Sequence, residues 1–508
     1  MLAGAAAALP GIYLLVLVAG DAGGAISTVA TARTLGLAAQ TLALTLAVSA
    51  TAVAIGLPLA WLTTRTDLPG RRLWTTLTTL PLVIPSYIGA YLLISAVGPF
   101  GLLRDVLDAE QLPSIYGFAG AWLALSLFTY PLVLLSTRAA LLRLDPQLED
   151  AARSMGRTPR QTFTSVVMPQ LVPALATGAL LVALYVVSDF GAVSIMRFDS
   201  LTSDIYITYQ SSFDRSSAAS LGLLLAVITL ALLAGQSWVR GSLRFDRAGP
   251  GSIRPAAPIP LGRWRGPALA FCASVTTVAL ILPLGVLIYW ASLGLGGEGL
   301  AVTELATNGS NSLLAAAAAA AAAAVLAVVI AILAVRFRGR MTVTLERISF
   351  LGYALPGVVV ALSLVFFGIR IAPPLYQTLA MLVFALTIHY LPLAVGSVGS
   401  SLLQVPPRIE EAARGLGRGP LEVFRTITTP LVAGGIFAGM ALVFLHALKE
   451  LPATLLLAPI GFETLATDIW RQTSRGFFEA AAIPTILLLV VAAPPLYVLA
   501  GRGTPPSS

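Results

Sequence analysis

Glu149 to Pro169 reads EDAARSMGRTPRQTFTSVVMP, and Glu410 to Pro430 reads EEAARGLGRGPLEVFRTITTP. The two stretches align without a gap at an offset of 261, and nine of their 21 positions are identical. Shared composition would give roughly two matches, so the segment is a repeat. Working outward, Phe198 to Tyr206 (FDSLTSDIY) matches Phe462 to Trp470 (FETLATDIW), and upstream Arg65 falls opposite Arg336. The duplicated unit is therefore about half of the chain.

What surrounds the repeats is apolar. The 508 residues are 57% hydrophobic and 11% charged, with a mean hydropathy of +0.88. Soluble domains carry about 25% charged residues. A hydrocarbon core about 30 Å thick needs roughly 20 apolar residues per helix. Such runs recur at 2–20, 39–62, 74–98, 117–141, 169–188, 217–239, 266–291, 312–335, 348–369, 375–402, 430–448 and 481–500. The expected fold is an all-α polytopic membrane protein of twelve transmembrane helices, arranged as two tandem six-helix repeats. No basic residue precedes the first run, so it reads as a span rather than a cleaved signal. Residues 241–265 hold four prolines and join a first repeat, 1–240, to a second, 266–508. An even number of spans per repeat inserts both copies the same way up. The ten-alanine run Ala315 to Ala324 lies in a span and reads as packing surface.

The formal net charge of +8 reflects topology rather than nucleic-acid binding. With both termini in the cytoplasm, 23 of the 31 Lys and Arg residues fall in inner loops or the tail. Both repeated loops then face the cytoplasm. In each, a proline opens a short helix (Pro146, Pro407), with Glu149-Asp150 or Glu410-Glu411 in its first turns, and Gly156 or Gly417 ends it. A second helix starts at Thr158-Pro159 or Gly419-Pro420 and is expected to break at Pro169 or Pro430. Ala151, Ala152, Ala412 and Ala413 would allow close approach of a partner whose acidic groups meet Arg153, Arg157, Arg414 and Arg418. An amphipathic turn lying on anionic headgroups is the alternative.

The pattern Glu, Ala-Ala, Gly, ending in Pro, resembles the loop that defines permease subunits of bacterial ABC importers. That resemblance implies a type I importer permease fold in the bacterial inner membrane. It also implies that Glu149, Asp150, Ala151, Ala152, Gly156 and Arg157, with Glu410, Glu411, Ala412, Ala413, Gly417 and Arg418, couple to two copies of an ABC ATPase carrying ATP and Mg. An extracytoplasmic solute-binding protein would deliver the cargo. Leu80 to Leu92, Ser188 to Tyr206 and Leu448 to Trp470 further resemble the fused permeases of ferric-iron importers. Thiamine, phosphonate or another small solute is the alternative cargo.

The chain's only lysine, Lys449, has no glycine-rich lead, so no phosphate-binding loop is present and no catalytic residue or resident cofactor is expected. A single cysteine, Cys272, excludes an intramolecular disulfide. His389 and His446 stand 57 apart, which points to core packing rather than a zinc site. Metal ligands are not identified. The offset of 261 places Asp189 opposite Glu450, each at the outer end of a span. Charges there mark either a solute route or a structural ion pair with Lys449. An ion-gradient-driven transporter, which also carries internal repeats, is the competing class.

Overall fold

The computed structural model describes residues 2–99, 101–107, 114–211, 215–242, 258–296, 302–337 and 339–501. Most of the expected linker, 243–257, lies outside the described residues. Helices and turns make up the described chain, with one isolated bridge between Thr66 and Ile259. Among the described residues, ten helices are long and apolar enough to cross a bilayer, and the bent pair Ala8–Gly20 and Ala22–Val29 makes eleven. The bend of 98° falls at Asp21, whose side chain accepts from Gly24 N at 3.1 Å and from Ser216 Oγ at 2.8 Å.

Two of the twelve expected spans are broken, for one reason. The third consists of Arg71–Thr79, a 3-10 turn Leu80–Val83, and Ser86–Val97; the ninth consists of Arg340–Ala354 and Gly357–Arg370. Each break precedes a proline, Pro85 or Pro356, with nearly identical backbone angles (φ −55°, ψ 144° and φ −56°, ψ 144°). Proline donates no backbone hydrogen bond and pushes its predecessor into the extended region, as at Ile84 (ψ 117°). Apolar length alone does not register this.

The chain forms two compact units, and they are not the contiguous halves. One comprises Ala32–Ser203 with Val227–Ser292; the other comprises Leu293–Ser508 with Met1–Thr31 and Asp204–Ala226. Each unit thus takes its opening span from the opposite half of the sequence. In the second-repeat unit, helix Leu2–Gly20 packs on Arg340–Ala354 and Gly357–Arg370, where Tyr13 Oη donates to Phe366 O at 3.2 Å. In the first-repeat unit, helix Arg265–Thr276 packs on Arg71–Thr79. The strand-like bridge pins it there: Ile259 N donates to Arg65 O at 2.8 Å, and Leu261 N to Asp67 Oδ1 at 2.9 Å.

Small residues set the helix spacing within each unit. In the first, a Cβ on Gly56 would sit 2.9 Å from Leu134 N, so Ala32–Arg65 and Phe118–Leu141 approach to backbone contact. In the second, Ala315, Ala316, Ala319, Ala320, Ala323 and Ala324 are buried while Ala317 and Ala321 are exposed. The alanine run is one packed face of Val302–Arg336, set against Leu379–Leu403 and Thr429–Leu448.

Candidate functional site

Each unit carries one copy of the repeated loop, and the two copies fold alike. In the first, Asp145 caps helix Pro146–Ser154 by accepting from Gln147 N at 3.0 Å. The second copy, Pro407–Gly415, begins at Pro406 and has no side-chain cap. Gly156 and Gly417 end these helices at φ +81° and +84°, in the left-handed region where a side chain is strained. A reciprocal cap between Thr158 and Gln161 then starts Pro159–Thr162. The second copy has Gly419 at the corresponding position and lacks that cap.

The expected break at Pro169 and Pro430 does not occur. Five-residue π turns, Phe163–Val167 and Phe424–Thr428, carry each short helix directly into the following span. Met168 N bonds to Phe163 O and Thr429 N to Phe424 O. The widened turn accommodates the proline, which has no N–H to offer, without ending the helix. Pro159–Ser188 and Pro420–Leu448 therefore run as single rods of 30 and 29 residues.

The glutamate that opens each motif faces inward. Glu149 is buried and bonds Arg65, which ends the helix Ala32–Arg65. Glu410 is buried and bonds Arg336 at 3.1 Å, at the end of Val302–Arg336. Arg336 also donates to Val405 O at 3.0 Å, and Thr428 Oγ1 to Glu410 Oε1 at 3.1 Å. The alignment of Arg65 with Arg336 was visible in the sequence, but its purpose was not. These arginines clamp the loop to the end of a preceding span.

The rest of the motif divides by face. Ala152 and Ala413 are buried beneath the loop, whereas Asp150, Ala151, Glu411 and Ala412 are exposed. Arg157 bonds Ser165 Oγ, and Arg418 bonds Thr426 Oγ1 at 3.1 Å, so both brace the turn from outside. Sequence reasoning missed the apolar part of this surface. Leu148 and Ile409 are 48% and 43% exposed, and Met155 and Leu416, just before the left-handed glycines, are 73% and 84% exposed. The signal was an apolar residue recurring at offset 261 in a polar, surface-seeking loop. Each unit thus presents a knob with an apolar tip, flanked by exposed acidic and basic side chains.

Asp189 and Glu450 hold equivalent places. Asp189 is buried, accepts from Ser86 Oγ, and caps helix Gly191–Ile195 through Ala192 N at 2.9 Å and Val193 N at 3.3 Å. Glu450 is half-buried, accepts from Tyr390 Oη, and approaches Ala453 N at 3.4 Å before helix Pro452–Leu457. Hydrogen-bonded capping holds both carboxylates. The repeat FDSLTSDIY and FETLATDIW has a similar structural use: Leu201 N bonds Thr41 Oγ1 at 3.1 Å, and Leu465 N bonds Ser312 Oγ at 2.8 Å. Beside the second copy, Arg471 pairs with Glu304, Glu463 and Asp468 at 2.7, 3.0 and 2.9 Å. Burial holds the Glu463 carboxyl above its ordinary range, against the lowering by Arg471.

The sequence profile of binding-protein-dependent transport system inner membrane components matches residues 52–244 and 323–500, spanning both loops. The chain belongs to this family. This family member is the permease subunit of an ABC importer, a multi-pass protein of the bacterial inner membrane that works with an ATPase and a solute-binding protein. It is 32% identical to the Fe(3+)-transport system permease protein FbpB 2 of Haemophilus influenzae, over 91% of this chain and 89% of that one. It is 24% identical to the ferric transport system permease protein FbpB of Actinobacillus pleuropneumoniae, over 81% of this chain and 63% of that one. The molybdenum transport system permease protein ModB of Escherichia coli K12 is 31% identical over 41% of this chain and 96% of its own length.

Proposed function

We propose that this permease carries ferric iron and is driven by two copies of a separate ABC ATPase, one seated on each repeated loop. ATP and Mg belong to those partners, and the permease itself hydrolyses nothing. The observation that carries the motor assignment is the clamped loop present once in each unit, fused through a π turn to a full-length span. Such an element converts a push at Met155 or Leu416 into movement of a whole helix. Ferric iron is supported by the likeness to FbpB 2, which extends over nearly the entire chain. Under this reading both termini are cytoplasmic, residues 1–240 and 266–508 are the two permease repeats, and Asp189 and Glu450 face the route of the cargo.

The test is copurification followed by reconstitution. The permease, expressed with its neighbouring ATPase and binding protein, should retain the ATPase in detergent. In proteoliposomes it should import ferric iron only with ATP and the binding protein present. Purification without an ATPase, or uptake that collapses with an ion gradient while ignoring ATP, would replace this reading with a secondary transporter. Uptake of molybdate, thiamine or phosphonate in place of iron would retain the motor and change the cargo.

A further inference from the structure

The two repeats differ at one set of positions. At the offset of 261, Phe128, Thr129, Tyr185 and Asp189 of the first repeat become His389, Tyr390, His446 and Glu450 in the second. Four positions with one carboxylate and one phenol have become a carboxylate, a phenol and two imidazoles. Pro85 and Pro356 match at an offset of 271, so Ser86, which binds Asp189, is replaced by Gly357. A Cβ on Gly357 would lie 2.6 Å from Glu450 Oε1 and 3.7 Å from His389 Nε2. The missing side chain is what admits the longer carboxylate and brings the imidazole to the same spot.

These groups lie beside one another within the second-repeat unit, around the Tyr390 ring. Tyr390 Oη donates to Glu450 Oε2, and its ring centroid lies 4.5 Å from that of His389 and 5.4 Å from that of His446. His446 Nδ1 lies 2.8 Å from Leu442 O. A carbonyl only accepts, so the hydrogen is on Nδ1 and the lone pair on Nε2, the arrangement that backbone carbonyls impose on metal-binding imidazoles. His389 Nδ1 has the same kind of neighbour, Gly352 O at 2.9 Å. Glu450 and His446 are half-buried rather than sealed. Packing alone does not call for a tyrosine, a glutamate and two carbonyl-braced histidines around a glycine in an apolar span, because each polar group there costs free energy unless it is used.

We propose that Tyr390, Glu450 and His446, with His389 beside them, form a transient ligand set for a hard trivalent cation in transit. This rests on the ferric reading above and adds where the ion pauses. Carboxylate and phenolate oxygens suit a hard cation, and imidazole completes a mixed set. Coordination displaces the Tyr390 phenol proton, which leaves to water. The adjacent ammonium of Lys449 opposes tight binding, as a transport subsite requires if the ion is to move on.

The purified permease–ATPase complex is titrated with ferric citrate and read by visible absorption, with iron uptake into proteoliposomes measured in parallel. A phenolate-to-iron charge-transfer band should appear in the wild type and persist in Tyr289→Phe, an exposed tyrosine elsewhere. The band should vanish in Tyr390→Phe, Glu450→Gln should weaken it, and both should lower the initial rate of iron uptake about tenfold or more. No band in the wild type, while iron is still imported, overturns the subsite and leaves the ferric assignment standing. The wild-type measurement needs no variant, so it decides even if Tyr390→Phe misfolds. A band that survives Tyr390→Phe overturns the subsite as well, and a wild type that imports no iron overturns both readings.

Discussion

Replacing Glu149 by Gln should loosen the first repeated loop far more than the same change at Glu410 loosens the second. The pair Arg65–Glu149 is almost sealed, with side chains 5% and 7% exposed, and Arg65 Nε and Nη1 are buried without hydrogen-bond partners among the described residues. The Glu149→Gln substitution would leave the Arg65 cation uncompensated in a low-dielectric site, a loss of about 3–5 kcal/mol. At the second loop Arg336 is 13% exposed and keeps the Val405 carbonyl when Glu410 is neutralised. The loss there is nearer that of one charged hydrogen bond, about 1.5–3 kcal/mol. Since about 1.4 kcal/mol is a factor of ten, amide exchange in Pro146–Ser154 should accelerate by two to three orders of magnitude in Glu149→Gln. In Pro407–Gly415 of Glu410→Gln the factor should be about one to two orders, each capped at the rate of a fully open loop. Hydrogen-exchange mass spectrometry of the detergent-solubilised complex measures both. The double variant Arg65→Met with Glu149→Met should recover most of the protection, because an apolar pair removes both buried charges. Wild-type exchange in Glu149→Gln would refute the clamp, and so would an effect confined to the other loop.

The left-handed glycines give a second expectation. Among the described residues, no heavy atom beyond the glycine and its two chain neighbours lies within 4 Å of a Cβ built on Gly156 or Gly417, so backbone strain and not crowding limits substitution. Alanine should then uncouple ATP hydrolysis from uptake nearly as much as valine, at about 1–2 kcal/mol of strain, while asparagine is tolerated; equal coupling in all three variants would count against it. Charging the apolar tips, as in Met155→Asp and Leu416→Asp, should reduce the ATPase retained on copurification without altering permease folding, judged by gel filtration. Asp189→Asn and Glu450→Gln should impair iron uptake while leaving ATPase docking intact, and full uptake in both would remove them from the cargo route.

Composition, span length and the repeat at an offset of 261 establish a duplicated membrane protein before any coordinates, because apolar length and recurrence are properties of the chain alone. The loop's turns were legible for the same reason: proline and left-handed glycine act on their immediate neighbours. What needed the tertiary structure was everything that depends on a partner distant in sequence. Glu149 and Asp150 are adjacent acids, yet one is buried under Arg65 and the other faces water, and only the position of the Ala32–Arg65 helix end separates them. The exchange of opening spans between the halves is likewise invisible to a repeat, which shows that two segments are alike and not which surfaces they bury. Pro169 taught the same lesson locally, since whether a proline breaks a helix depends on whether the preceding turn can widen. His389 and His446 read as core residues in the sequence, and only the fold sets their rings against Tyr390 and brings Glu450 and the His389 imidazole into the space beside Gly357.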